Sequence, residues 1–223
     1  FDGIDDAVQV TFAPVLNTVS GDYTIEAWIN RSAYSNYDRL ADRENVFAFY
    51  LGPNNTFGFR GPLGGPELNS PNNTVTAGWH HVAVRCTTIA SVVTATLFYD
   101  GNPVASLTHL SLSLPTAQST DLFIGNRSAL DRPLNGGIDE VRLWNIARTN
   151  EQIKKDRGAL LTGAEPGLIA YYKLDEGTGQ LVGDATVQGV HGRLGTTDLA
   201  DANDPLWQPS GAAIGFNLSA PNL

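Results

Sequence analysis

Apolar and polar residues alternate along most of the chain with a period of two, the pattern of half-buried strands rather than of helices. In one such run Tyr23, Ile25, Ala27 and Ile29 share a face, while Glu26 and Trp28 point the other way. Comparable short runs fall at residues 7–10, 46–51, 57–60, 79–84, 95–99, 103–107, 122–124 and 168–174. Turn residues separate them, among them Ser20-Gly21-Asp22 and Pro53-Asn54-Asn55. Asp100-Gly101 between two apolar runs is a strong hairpin signal. Residues 30–43 and 61–73 are polar or rich in Pro, Gly and Asn, which predicts two long loops, and residues 175–192 predict a series of turns. The one predicted helix starts at Thr149, where Gln152 completes capping-box spacing, and runs to about Arg157. Many short strands with almost no helix predict an all-β fold, a two-sheet antiparallel β-sandwich, for which a jelly roll is one way of closing the sheets. The expected organisation is one domain over residues 1–207 and a C-terminal tail or linker over 208–223.

Composition narrows the class of job. At 223 residues, 42% hydrophobic and 17% charged, the chain has enough apolar material for one well-buried domain and too much for disorder. No apolar run approaches the roughly 20 residues that a membrane span needs. A net charge of -9 argues against a nucleic-acid partner, whose phosphates call for a basic patch, and suits divalent cations. The single cysteine, Cys86, lies in an alternating run and reads as a small core residue. The chain contains no methionine, so it is expected to be a piece of a larger multidomain polypeptide.

One stretch holds the strongest chemical signal. After Gly136 and Gly137, residues 138–145 alternate, and the pattern sets Asp139 ahead of Val141 and Leu143 on one apolar face. A carboxylate there is costly unless it is paired, hydrogen-bonded or bound to a metal. Pairing with an arginine or capping a turn would serve as well as a metal.

Several segments, taken in order, resemble laminin-G-like domains of the concanavalin A-like lectin/glucanase superfamily. They are Phe1-Asp2-Gly3-Ile4-Asp5-Asp6, Tyr23-Thr24-Ile25-Glu26-Ala27-Trp28-Ile29, Gly78-Trp79-His80-His81-Val82-Ala83, Tyr99-Asp100-Gly101 and Leu122-Phe123-Ile124-Gly125. Gly137-Ile138-Asp139-Glu140-Val141-Arg142-Leu143-Trp144-Asn145 and Ala170-Tyr171-Tyr172-Lys173-Leu174-Asp175-Glu176-Gly177-Thr178-Gly179 complete the set, which spans roughly residues 1–207. The resemblance implies a jelly roll of two sheets, one of them concave. It also implies a structural calcium ion, held by Asp139 together with Asp2 and, through its carbonyl, Gly3.

The same superfamily includes hydrolases and lyases, so catalysis is weighed too. Its hydrolases carry Glu-x-Asp-x-x-Glu, and no such run occurs here; Asp139 and Glu140 are adjacent and expected on opposite faces. His80 and His81 begin a strand and read as hydrogen-bonded structural residues. Sugar recognition has better material, since it needs an aromatic face and a few polar groups. Tyr34, Asn36, Tyr37, Asp38 and Arg39 offer these on one predicted loop, and Asn69, Asn72 and Asn73 on another; Tyr34, Tyr37, Arg39 and Asn72 are the candidate ligand-binding residues. Together these readings predict a non-catalytic, calcium-stabilised recognition module of an extracellular or cell-surface protein. It would bind carbohydrate or a protein partner in adhesion. A diverged glycan hydrolase or polysaccharide lyase, and a structural spacer, are the alternatives.

Overall fold

The computed structural model describes residues 1–34, 37–62, 65–109, 112, 114–202 and 204–215. Its strands are β1 (Val8–Val10), β2 (Tyr23–Ala33), β3 (Arg39–Arg43), β4 (Phe47–Gly52), β5 (Thr56–Arg60), β6 (Glu67–Asn69), β7 (Trp79–Ile89) and β8 (Val92–Tyr99). They continue with β9 (Asn102–His109), β10 (Leu122–Ile124), β11 (Asn135–Trp144), β12 (Leu168–Tyr172), β13 (Leu181–Val182) and β14 (Gly192–Leu194). The helix α1 spans Asn150–Asp156, and a 3-10 turn covers Pro14–Thr18.

These strands form two antiparallel sheets packed as a jelly-roll sandwich. One sheet has the order β13-β14-β1-β10-β3-β4-β5-β6 and the other β12-β11-β2-β7-β8-β9. The predicted inner face of β2 is the observed one: Tyr23, Ile25, Ala27 and Ile29 are all in the main core. They meet Val82, Val84, Val93, Ala95 and Leu97 of their own sheet and Phe47, Phe49, Leu51, Phe57 and Phe59 of the other. The Asp100-Gly101 turn joins β8 to β9 as the dipeptide signals.

Three predicted irregular segments contain strands. Residues 30–43 are not one loop: β2 runs on to Ala33, and β3 begins at Arg39. The reason is that β3 satisfies its charges within the structure. Arg43 is 2% exposed, and its guanidinium donates to the carbonyls of Leu16, Thr120 and Gln118 and to Asn17 Oδ1. Arg39 donates to Asp42 Oδ2 at 2.8 Å, while Leu40 and Ala41 enter the core. The segment 61–73 contains β6, whose Leu68 packs inward at the sheet edge. The glycine-rich region 175–192 contains β13 and leads into β14.

β11 also departs from simple alternation. Its register against β2 shifts between Asp139 and Arg142, and Glu140 takes a positive φ of 52°. This bulge inserts one residue, so Ile138, not Asp139, precedes Val141 and Leu143 in the main core. Asp139 is therefore released from the face on which strict alternation would put it.

The helix forms as its sequence dictates. Thr149 accepts from Gln152 N, and the Gln152 side chain accepts from Thr149 N, completing the capping box. Ile153 packs on Ala83 and Phe98, so α1 covers the outer side of the six-stranded sheet.

Candidate functional site

A cavity of about 400 Å³ lies where the chain's first residues meet the start of β11. Hydrogen bonds join the two segments: Gly136 N donates to Phe1 O at 3.0 Å, and the Asn135 side-chain Nδ2 donates to Asp2 O at 3.0 Å. Asp2, Asp6 and Asp139 line the cavity, and Pro205 to Ser210 pass along it. Asp139 is 5% exposed and has no arginine partner among the described residues; Arg142 instead pairs with Glu140. Its Oδ1 accepts from Glu140 N at 2.8 Å. Burial raises the Asp139 pKa to about 6; the Ser210 hydroxyl beside it pulls it down, and the charges of Glu140 and Asp175 push it up. Burial likewise raises Asp6, against the pull of the Asp2 N–H. Carboxylate oxygens of Asp2, Asp5 and Asp6 lie within 4.8 Å of one another. Gly3 does not line the cavity; its positive φ of 82° and its packing on Asn135, where a Cβ would come within 2.7 Å of Nδ2, explain the glycine structurally.

The outer face of the eight-stranded sheet carries a second constellation. Cross-strand partners share a face, so the registers define rows. One row is Phe123, Asp42, Ala48, Arg60 and Glu67, and the next is Arg39, Tyr50, Gly58 and Asn69. Ala48, Tyr50 and Gly58 are buried, and the Tyr50 and Asn69 side chains close over Gly58. At Gly58 a Cβ would come within 2.4 Å of Asn69 Oδ1 and 2.8 Å of Tyr50 Cε2. Tyr50 Oη and Asn69 Oδ1 are 3.1 Å apart, and the Arg39 guanidinium lies 5.6 Å from the Tyr50 ring centroid. Tyr37, held at φ 54°, stands edge-on to Tyr50 with centroids 5.5 Å apart, and its carbonyl accepts from Arg39 Nη1. A cavity of about 290 Å³ adjoins the first row, lined by Asp42, Glu44, Arg60, Arg127 and Ser128 among others.

The predicted ligand residues divide between this face and a rim. Tyr37 and Arg39 belong to the face, although Arg39 is buried rather than on a loop. Tyr34 is at the rim, where Arg31 stacks on its ring at 4.8 Å and donates to Asn55 Oδ1, which neighbours Asn73. Asn72 is exposed beside Asn73 and is not brought to Tyr37 by any contact among the described residues. Asn36 lies outside the described residues. Sequence reasoning missed Asp42, Tyr50, Arg60 and Arg127. The alternation Phe47, Phe49, Leu51 and Phe57, Phe59 already turns Tyr50 and Arg60 outward, and that signal could have found them.

On the outer side of the six-stranded sheet, Glu26 accepts from Trp144 Nε1 at 2.8 Å and from Arg148 Nη1 at 3.1 Å. His81 Nε2 is 3.4 Å away, at the edge of hydrogen-bond geometry. Burial would raise the Glu26 pKa, but His81, Arg148 and Arg142 outweigh it and hold the group at about 2. Arg142, Glu140 and Tyr171 complete this buried layer. His80 links Asp100 Oδ2, at 2.9 Å from Nδ1, to Thr76 Oγ1, at 2.8 Å from Nε2. Tyr99 Oη also contacts Thr76, so the set clamps the loop before β7 to the β8–β9 turn.

Comparison with known proteins follows from this geometry. A family model described as the concanavalin A-like lectin/glucanases superfamily, of laminin-G type, matches residues 2–154. A search of curated proteins gave no match. Among solved structures, a candidate carbohydrate-binding protein of Bacteroides ovatus aligns with a TM-score of 0.71 at 22% identity, over 86% of this chain and 56% of that one. The chain thus spans little more than half of that neighbour's length. The carbohydrate-binding module (CBM40) of a Ruminococcus gnavus sialidase gives 0.57 at 12% identity, over 68% of this chain and 93% of that one. A leech intramolecular trans-sialidase gives 0.56 at 13% identity, over 80% and 30%. At these identities the structures establish a shared fold, and the family match over residues 2–154 establishes that the chain belongs to the concanavalin A-like lectin/glucanases superfamily.

Proposed function

We propose that this chain is a non-catalytic carbohydrate-binding module that uses the outer face of its eight-stranded sheet. The observation that carries the reading is the double row on that face. Its buried centre, Tyr50 packed over Gly58 beside Ala48 and Asp42, supports the outward groups Tyr37, Arg60 and Asn69, an aromatic ring with hydrogen-bonding groups beside it. An aromatic face with fixed polar groups beside it is what a sugar ring needs. The Bacteroides and Ruminococcus neighbours, named for carbohydrate binding, favour the same reading. Against catalysis stands the state of Glu26 and Glu140, both buried and both committed to arginines. Within a larger secreted or cell-surface protein, such a module would hold a glycan, or a glycosylated partner protein, in adhesion.

The proposal includes calcium. Asp139 is a buried carboxylate with no cationic partner among the described residues, and it shares a cavity with Asp2 and Asp6. Calcium takes oxygen ligands of that kind. Asp139 and Asp2 would supply carboxylates and Asp6 is a further donor on the same wall, whereas Gly3, which does not line the cavity, is not part of the proposed site. The ion would neutralise charge and brace the chain's opening against β11, with no part in recognition.

A glycan array tests the recognition claim. The wild-type chain is expected to retain a subset of saccharides. Tyr37→Ala and Asn69→Ala are expected to weaken that binding about tenfold each, with unchanged melting temperature. Undiminished binding by both variants, or no saccharide retained by the folded wild type, would overturn the proposal.

A further inference from the structure

We infer that the saccharide taken by the outer face of the eight-stranded sheet is an acidic one, whose carboxylate is received by the Arg60 guanidinium at the mouth of the cavity beside Asp42. This rests on the carbohydrate reading above and names the substrate class for that site.

The first argument is the state of Arg60. Among the described residues its guanidinium has no hydrogen-bond partner, and its nearest carboxylate, Glu67 Oε1, is 3.9 Å away. Glu67 is itself exposed. Among the described residues the Arg60 guanidinium is therefore held by one loose ion pair beside a cavity of about 290 Å³. A planar guanidinium matches a carboxylate with two parallel hydrogen bonds, a geometry that neutral hydroxyls use less well.

The second argument is the convergence of positive charge. In a chain of net charge -9, Arg39, Arg60 and Arg127 gather around one buried carboxylate, Asp42. Burial lowers the Arg39 pKa first; Asp42 opposes that, while Arg60 and Arg127 add to the lowering, so the three cations sense one another. Asp42 is already occupied by Arg39 Nε at 2.8 Å, and Glu44 accepts from the Ser128 hydroxyl. Arg127 is fixed by Asp131, with Nε donating to Oδ1 and Nη2 to Oδ2. That leaves Arg60 as the cation with capacity for an incoming anion, and Arg127 as a fixed charge behind it.

The third argument is spacing. Ala48 and Tyr50 are two residues apart on β4, so the Arg60 row and the Tyr50 row lie about 7 Å apart. A sugar ring at the cavity mouth can therefore place one edge at Tyr37 and Asn69 and project a carboxylate at the other toward Arg60. The carboxylates of Asp42 and Glu44 on the cavity wall disfavour a doubly charged phosphate there.

The test is titration calorimetry on the full chain with matched saccharides. One pair is trigalacturonate and its methyl ester, and another is α2,3-sialyllactose and lactose; a sulfated lactose is the third arm. One acidic member is expected to bind about tenfold or more tightly than its neutral counterpart, and the arm that does so separates a uronate from a sialate. Arg60→Gln is expected to abolish that preference and Arg60→Lys to keep part of it. Glu67→Gln, which removes the competing carboxylate, is expected to strengthen acidic binding. Equal binding of acidic and neutral partners, a preference intact in Arg60→Gln, or equal binding of sulfated lactose would overturn the inference while leaving carbohydrate binding standing. Failure of every saccharide, on the array as well, would overturn the carbohydrate reading itself.

Discussion

Glu26 shows how far a residue's role can lie from its strand neighbours. On β2 it is the lone acid among apolar residues, and the alternation says only that it points away from the core. Its partners Trp144, Arg148, His81 and Arg142 come from β11, β7 and the segment before α1, which no local pattern brings together. Removing one member of such a buried set leaves the other charges uncompensated, so Glu26→Gln is expected to cost about 3–5 kcal/mol in urea unfolding. The pH dependence has a definite sign. The folded Glu26 pKa is held at about 2 and the ordinary value is 4.5. The stability it contributes is complete above about pH 4.5 and is lost as the pH falls from there toward 2, on the order of 3 kcal/mol. The acid limb of the stability curve in that window should flatten in Glu26→Gln. An unchanged limb would mean that other carboxylates govern acid unfolding. Asp139 illustrates the complementary point: its special status was legible as an acid within an apolar strand, but not its face, because the Glu140 bulge is invisible to a count of two.

At the scale of elements, apolar alternation located those strands whose inner face is an uninterrupted row of apolar side chains, such as β2, β4, β5 and β8. It failed at β3, where Arg39 and Asp42 are buried as a pair and Arg43 donates to groups distant in sequence. It failed again at β6, β13 and β14, which are two or three residues long and depend on neighbours already in place. The helix was legible because its start is local chemistry. The α1 cap also has a load beyond its own seven residues. Arg142 Nη1 donates to Asp156 O, Arg148 pairs with the Asp156 carboxylate, and Trp28 Nε1 donates to Arg157 O. Thr149→Ala removes the capping box and is expected to cost about 1 kcal/mol. Amide exchange should then accelerate over residues 150–157 while β4 and β5 keep their protection. Acceleration confined to the first turn would show that α1 does not act as a unit over the charged layer.

For the whole molecule, the outer sides of the two sheets differ. On the six-stranded sheet α1 and the charged layer around Glu26 cover the side of β2 and β11 while β9 stays exposed, and on the eight-stranded sheet the outward polar groups are Arg60, Glu67 and Asn69 at the β5–β6 edge. The acidic cavity at Asp139 and the cavity at Asp42 have no lining residue in common. This separation yields a prediction that joins the proposed metal to stability alone. A folded Asp139 pKa near 6, above the ordinary 3.8, means its favourable contribution is present below about pH 3.8 and lost as the pH rises through 6. At neutral pH the metal-free chain therefore carries an ionised, poorly compensated carboxylate, and a bound calcium ion would offset that cost. Calcium at a hundred times its dissociation constant should stabilise the wild type by about 2.7 kcal/mol, seen as a rise in melting temperature that EDTA reverses. Asp139→Asn should melt at or above the metal-free wild type at pH 7 and lose the calcium response altogether. Saccharide affinity should be the same with calcium and with EDTA, since the proposed recognition groups Tyr37, Arg60 and Asn69 do not line the Asp139 cavity. A wild type whose melting temperature ignores calcium would remove the metal from the proposal, and a saccharide affinity that collapses on chelation would show that the two cavities act as one site.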